Sequence, residues 1–147
     1  MKNKIIEESL SWIGTRFKHQ GRLKKDISSL GGCDCLGLVV GVAKNLRIKT
    51  ITGDSFESFD QANYPKIIST NILLNQLNVL LAKVSIEDLQ LGDVILIKVN
   101  DWPQHLAIIS SISPRITIIH SYIQVRRVVK QNLSQEWLEK IVAIYRF

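Results

Sequence analysis

Two cysteines, Cys33 and Cys35, are all the chain has. No export signal is expected ahead of them, so this small number argues against a disulfide framework, and a bridge between residues this close in sequence is strained. Long apolar runs are missing too. Residues 1–14 interleave Lys2, Lys4, Glu7 and Glu8 with Ile5, Ile6, Leu10 and Ile13, which excludes a signal peptide or membrane span there. The expected product is made in the cytoplasm, and work outside the cell would need another agent to carry or release it. No repeat, linker or low-complexity tract interrupts the 147 residues, so a single domain over 1–147 is expected, large enough to bury roughly 70% of its unfolded surface. Acidic residues are outnumbered, and the net charge of +6 attracts polyanions such as nucleic acid and cell-wall polymers. Aromatic residues do not alternate with the basic ones as a single-strand binder requires, so nucleic acid is not expected as a partner.

What the chain does have is concentrated in Gly32-Cys33-Asp34-Cys35-Leu36-Gly37-Leu38-Val39-Val40-Gly41-Val42-Ala43. Asp34 is a good N-cap, and Leu36, Val39, Val40, Ala43 and Leu46 recur at helical spacing, which predicts a buried helix ending near residues 45–47. Cys35 then takes the first helical position, where unpaired N–H groups and the helix dipole should let its thiol ionise more readily than a free cysteine. Gly37 and Gly41, one turn apart, suit a helix pressed closely against a sheet.

Residues 3–13 predict an amphipathic helix, 15–30 an irregular loop, 49–65 turns, and 69–82 a further helix with Ile72, Leu73, Leu77 and Leu80 inward. Glu87-Asp88-Leu89 suits one short turn. After Leu91-Gly92-Asp93 the texture becomes β: 94–99 is apolar on both faces, as a central strand is, followed by 104–112, 115–123, 125–130 and 141–147. Helices first and strands later point to an α+β domain, N-terminal helices packed on a C-terminal antiparallel sheet.

Only three histidines exist, His19, His105 and His120. If Ser113-Pro114 closes an even-numbered hairpin loop, His120 lies opposite Ala107 and His105 opposite Tyr122, so His105, Ala107, Ile116, Ile118 and His120 share one face. The two histidines become diagonal neighbours about 7 Å apart at the backbone, within reach of a ring-to-ring hydrogen bond. With that face turned to the start of the cysteine helix, Cys35, His105 and His120 make a nucleophile, a general base and acid, and an orienting residue. The N–H groups at the helix start would stabilise an oxyanion. No metal or cofactor is required.

These residues resemble a known family. Asp34-Cys35-Leu36-Gly37-Leu38-Val39 is similar to the Asp-Cys-Ser-Gly-Leu/Phe-Val signature of the NlpC family of papain-like cell-wall cysteine peptidases. Leu91-Gly92-Asp93-Val94 is similar to its Pro-Gly-Asp-Leu/Val element, His105-Leu106-Ala107-Ile108 to its His-Val-Gly-Ile strand, and Ile119-His120-Ser121 stands at its third polar residue. The likeness extends to the phage-type branch found in phage tails and gene-transfer agents. There Thr-Pro-Tyr-Arg-His-Gln-Gly-Arg is matched by Thr15-Arg16-Phe17-Lys18-His19-Gln20-Gly21-Arg22, and the family ending resembles residues 137–147. The resemblance implies a papain-like fold and hydrolysis of peptide-stem bonds in peptidoglycan, typically between D-glutamate and diaminopimelate or lysine. It also implies action on the cell wall and phage tail proteins as partners. Two positions depart from it: Phe17 stands where the family often has a tyrosine hydroxyl near the thiol, and Leu36 replaces a serine.

Several residues keep two readings. His19 either replaces the missing hydroxyl or has no role. Asp34 caps the helix, contacts substrate, or both. Arg22, Arg126 and Arg127 either grip stem-peptide carboxylates or are solvated charges, and Trp102 and Tyr122 either line a substrate groove or pack at the sheet end. Three rival functions stand beside the peptidase: a zinc site from Cys33, Cys35, His105 and His120, although the spacing does not fit the usual finger pattern; a basic module binding cell wall or nucleic acid without cleavage; and transfer of an acyl group, or hydrolysis of another amide, on the same fold.

Overall fold

The computed structural model describes residues 1–60, 63–66 and 70–147. Its elements run α1 (Lys2–Ser11), β1 (Arg22–Leu23), β2 (Gly32–Cys33), α2 (Cys35–Asn45), α3 (Ile72–Leu80), β3 (Ala82–Val84), β4 (Val94–Val99), β5 (Trp102–Ser111), β6 (Thr117–Tyr122), β7 (Arg127–Asn132), α4 (Gln135–Glu139) and β8 (Ile141–Arg146). Short 3-10 turns cover Phe56–Ser58 and Ile86–Asp88. The start of the helix expected at 69–82 falls on residue 69, outside the described residues. Its end is corrected, because Ala82 already belongs to β3.

Strands β3 to β8 form one six-stranded sheet in the order β3-β8-β4-β5-β6-β7, with antiparallel neighbours throughout. Thus β4 is central, as its two-faced apolar run required. Alternation along the strands sorts the core into two layers. Val94, Leu96, Leu106, Ile108, Ile119, Val128, Ala143 and Tyr145 face α1, α2 and α3. Ile95, Ile97, Ala107, Ile109, Ile118 and Ile144 face the other way, toward Trp137 of α4. Each fully buried aliphatic side chain contributes about 1.5–3 kcal/mol, so both layers stabilise the sheet. The short α4 escaped sequence reading because five residues are too few to show a helical period.

Helix α2 is apolar all round and buried from Leu36 through Ala43, as a helix enclosed by protein must be. Its glycines are needed, but the surfaces they meet correct the expectation of a sheet. A Cβ on Gly37 would stand 1.9 Å from the Gly21 carbonyl oxygen, and one on Gly41 2.3 Å from the Trp12 ring. The close neighbours are the 15–22 stretch and the residue that ends α1.

That stretch is less irregular than expected. The Gly14 N–H donates to the Val128 carbonyl (3.0 Å), Val128 N–H to Thr15 (2.8 Å) and Phe17 N–H to Arg126 (2.9 Å), so residues 14–17 cover part of the β7 edge, and β1 then pairs with β2. The Leu91-Gly92-Asp93 turn is also structural. Gly92 sits at φ +84°, and buried Asp93 accepts from the Gln90 N–H (2.8 Å) and from Arg146 Nε and Nη2 (2.8 Å each). Among the described residues no helix is long and apolar enough to cross a membrane.

Candidate active site

The cysteine is delivered by the cap of α2. Asp34 Oδ1 accepts from the Gly37 N–H at 2.8 Å, satisfying one of the helix's free donors. Oδ2 accepts from the Gln20 N–H at 2.7 Å and from the Tyr64 hydroxyl. Arg22 Nη1 reaches Oδ1 at 3.2 Å. The same guanidinium grips Asp60 through Nε (2.9 Å) and Nη2 (3.1 Å) and donates to the Tyr64 hydroxyl (3.0 Å) and the Gly21 carbonyl (3.0 Å). Burial works against the Arg22 charge, yet its bonds to Asp60 and Tyr64 and the field of Asp34 outweigh it and raise its pKa above the ordinary value. Burial together with Asp34 raises the Tyr64 phenol above its ordinary value too.

The histidines are delivered by the hairpin. Ile108 opposes Ile119 and Ile109 opposes Ile118, the register expected from the Ser113-Pro114 turn, while a shift before Ser111↔Thr117 makes the loop end irregular. His105 Nε2 and His120 Nδ1 are 2.7 Å apart and both side chains are buried. Tyr122 stacks on His120 at 5.1 Å between ring centres and 20° between planes. Trp137 lies 5.2 Å from His105 and 5.6 Å from His120.

The way the two halves meet differs from expectation. The histidines share the face of Ala107 and Ile118, whereas α2 packs on the opposite face, against Leu106, Ile108 and Ile119. Contact is made instead at the strand end. There β5 carries one extra residue, since Ile97 opposes His105 and Lys98 opposes Pro103, and such a bulge at Gln104 bends the strand. The Cys35 thiol points at the Gln104 carbonyl, 3.9 Å away. Buried Ser121 donates to the Cys33 carbonyl at 2.7 Å, tying the histidine strand to the residue two before Cys35.

A cleft of about 340 Å³ results, with Cys35, His105, Asp34, His19, Phe17 and Tyr122 in its wall together with Tyr64, Gln104, Ser121 and Trp137. His19 Nε2 lies 3.0 Å from the Tyr64 carbonyl oxygen. His120 stands behind His105, outside the lining. Trp102 is 39% exposed at the start of β5 and does not line the cleft, and Arg22 has its donors committed to protein acceptors. The readings of Arg22 as a free carboxylate grip and of Trp102 as a groove wall are corrected accordingly. Arg126 and Arg127 are exposed. Asp34 is the cap, and both its oxygens are occupied. Tyr64, Ser121, Trp137 and Asp60 were missed. Tyr64 sat in a stretch that reads only as turn, and Trp137 in a segment whose resemblance assigned it no role.

The expectation of an easily ionised thiol is overturned. Burial and the adjacent Asp34 carboxylate push the Cys35 thiol up to about 12, against the backbone N–H groups of Leu106 and Leu36 and the charge of Arg22. The helix start is present, but loss of water outweighs it. Burial and the neighbouring His120 lower His105 to about 3. Loss of water thus favours the neutral form of both the thiol and the imidazole in the cleft. Among the described residues no three His, Cys, Asp or Glu side chains gather as a metal-holding group, so the four residues of the zinc reading are not assembled for one.

No family model matches the chain and no curated protein matches it. Solved structures do. The NlpC/p60 domain of the peptidoglycan hydrolase SagA is similar over 100% of this chain and 99% of its own, at 18% identity and TM-score 0.62. An NlpC/p60 family protein from Bacillus cereus is similar over 100% of this chain and 40% of its own, at 20% identity and TM-score 0.65. The peptidoglycan hydrolase RipB of Mycobacterium tuberculosis is similar over 99% of this chain and 63% of its own, at 15% identity and TM-score 0.63. The chain has the NlpC/p60 fold.

Proposed function

We propose that this chain is a cysteine endopeptidase of bacterial peptidoglycan, hydrolysing an amide bond of the peptide stem, with Cys35 as nucleophile, His105 as general base and acid, and His120 as the residue that orients His105. The observation that carries the reading is the shared cleft of Cys35 and His105, with His105 Nε2 engaged by His120 at 2.7 Å. That engagement leaves Nδ1 of His105 for the cleft. The names of the similar structures, two of them peptidoglycan hydrolases, support the substrate class.

Because both groups rest neutral, proton transfer accompanies attack. The Cys35 proton passes to His105 as sulfur bonds to the stem carbonyl, whose oxygen becomes an anion held by N–H groups at the start of α2. The C–N bond then breaks, the imidazolium gives its proton to the departing amine, and a thioester remains. Water, deprotonated by His105, attacks the thioester and restores the thiol. His120 keeps the His105 ring in place through both transfers.

The bond between D-glutamate and diaminopimelate or lysine, and a place in a phage tail, are the finer parts of the proposal. They rest on the likeness of residues 15–22 and 34–39 to the phage-type signatures. Stretch 15–22 contributes Phe17 and His19 to the cleft wall, which supports a part in substrate choice.

Mass spectrometry of defined muropeptides incubated with the protein tests the proposal. Wild type and Cys33→Ala should release two stem fragments, and Cys35→Ala none. Intact muropeptides with wild type, or equal loss in both cysteine variants, would overturn it.

A further inference from the structure

Among the described residues, Nε2 of His120 is the buried side-chain nitrogen without a hydrogen bond in good geometry, although the residue is fully buried. An orphan of this kind at a relay needs a reason. The sheet register supplies one. In β6 and β7 His120 opposes Val129 and Ile118 opposes Gln131, so Gln131 lies on the histidine face, diagonal to His120 and within side-chain reach.

We infer that Gln131 is a positioning residue whose amide oxygen accepts the Nε2–H of His120 and thereby fixes the tautomers of both imidazoles. A neutral imidazole carries one N–H and one lone pair. With its proton on Nε2, His120 offers a lone pair at Nδ1, which accepts the Nε2–H of His105 across the 2.7 Å contact. His105 then has its lone pair on Nδ1, the nitrogen left for the cleft, and can take a proton from Cys35. The opposite arrangement puts a proton on Nδ1 of both rings. In that state His105 has no lone pair for the thiol and His120 buries a bare one at Nε2. Gln131 also works against burial, favouring the protonated form of His120.

This inference rests on the peptidase reading for its catalytic consequence, not for the tautomers themselves. Long-range nitrogen-15 NMR of the imidazoles in the intact chain at neutral pH reads the tautomers directly. Wild type should show Nε2–H on both His105 and His120. Gln131→Met, similar in length without the amide, should move His105 toward Nδ1–H and lower kcat by on the order of tenfold or more at unchanged KM. Gln131→Glu, which keeps an acceptor, should retain the wild-type tautomers and most of kcat. A wild-type His105 protonated on Nδ1, or wild-type tautomers in Gln131→Met, would overturn the inference. The expected tautomers in a protein that cuts no muropeptide would uphold it and remove the peptidase reading instead.

Discussion

The sulfur half and the imidazole half of the cleft are held by opposite means. Cys35 follows a loop, and its position depends on charge: Asp34 gathers Gly37, Gln20, Tyr64 and Arg22, and Arg22 is in turn clamped by Asp60. His105 and His120 sit on paired strands whose ladder already sets their separation, so apolar rings, Tyr122 and Trp137, complete their surroundings. A loop has to be fixed by directional, saturating bonds, whereas a sheet needs only to be packed. Damage should therefore appear as lost stability on one side and as lost catalysis on the other.

The largest effect is expected on the charged side. Asp34→Ala takes away the acceptor of the buried Tyr64 hydroxyl and one of the two carboxylates on Arg22, and it uncaps α2, which should cost about 3 kcal/mol by urea unfolding. Asp34→Asn keeps a cap and should cost less. Near-equal stability of Asp34→Ala and wild type would show that the network is not what holds the cysteine.

On the imidazole side the expected loss is kinetic. His120→Ala should lower kcat on the order of 100-fold, equivalent to about 2.7 kcal/mol, measured well below the unfolding midpoint of the variant. His120→Asn keeps a hydrogen-bonding group and should fall between Ala and wild type; an Asn variant poorer than Ala would contradict the orienting role. A smaller loss, about tenfold or roughly 1.4 kcal/mol, is expected for Trp137→Leu, measured as kcat on the same muropeptide. Lost unfolding stability without lost kcat would make Trp137 packing alone.

The same contrast explains what could be read from the chain. Period-2 alternation and a turn fix strand register locally, so the pairing of His105 with His120 followed from counting residues. The cap at Asp34 was equally local, three residues from its Gly37 donor. The partners that hold the sulfur half were not. Tyr64 meets Arg22 across 42 positions, and Ser121 meets the Cys33 carbonyl across 88, separations at which no pattern along the chain survives. The expected face-to-face meeting of helix and histidines failed because alternation says which residues share a face and not which face a helix covers. The thiol's acidity was misjudged for a related reason: a helix start can be read from sequence, but the burial that outweighs it here belongs to the assembled fold.

The smallest effect concerns pH, where the two halves should again separate. For Cys35, whose folded pKa is raised by burial to about 12, stability is complete below the unfolded value of about 8.5 and is lost as pH rises above it. For His105, lowered by burial to about 3, the unfolded chain binds a proton from about pH 6.5 downward while the folded one does not, so stability is complete above that value and is lost as pH falls. Every other group that titrates in acid is shared by wild type and His105→Gln and cancels in the comparison. Between pH 6.5 and 5.5 wild type should lose about 1 kcal/mol more than His105→Gln, below the limit of about 1.4 kcal/mol per pH unit for one group. Parallel acid slopes for the two proteins would mean that His105 is hydrated in the folded state and carries its proton there. The base would then rest charged, and attack by sulfur would have to begin from a thiolate paired with it.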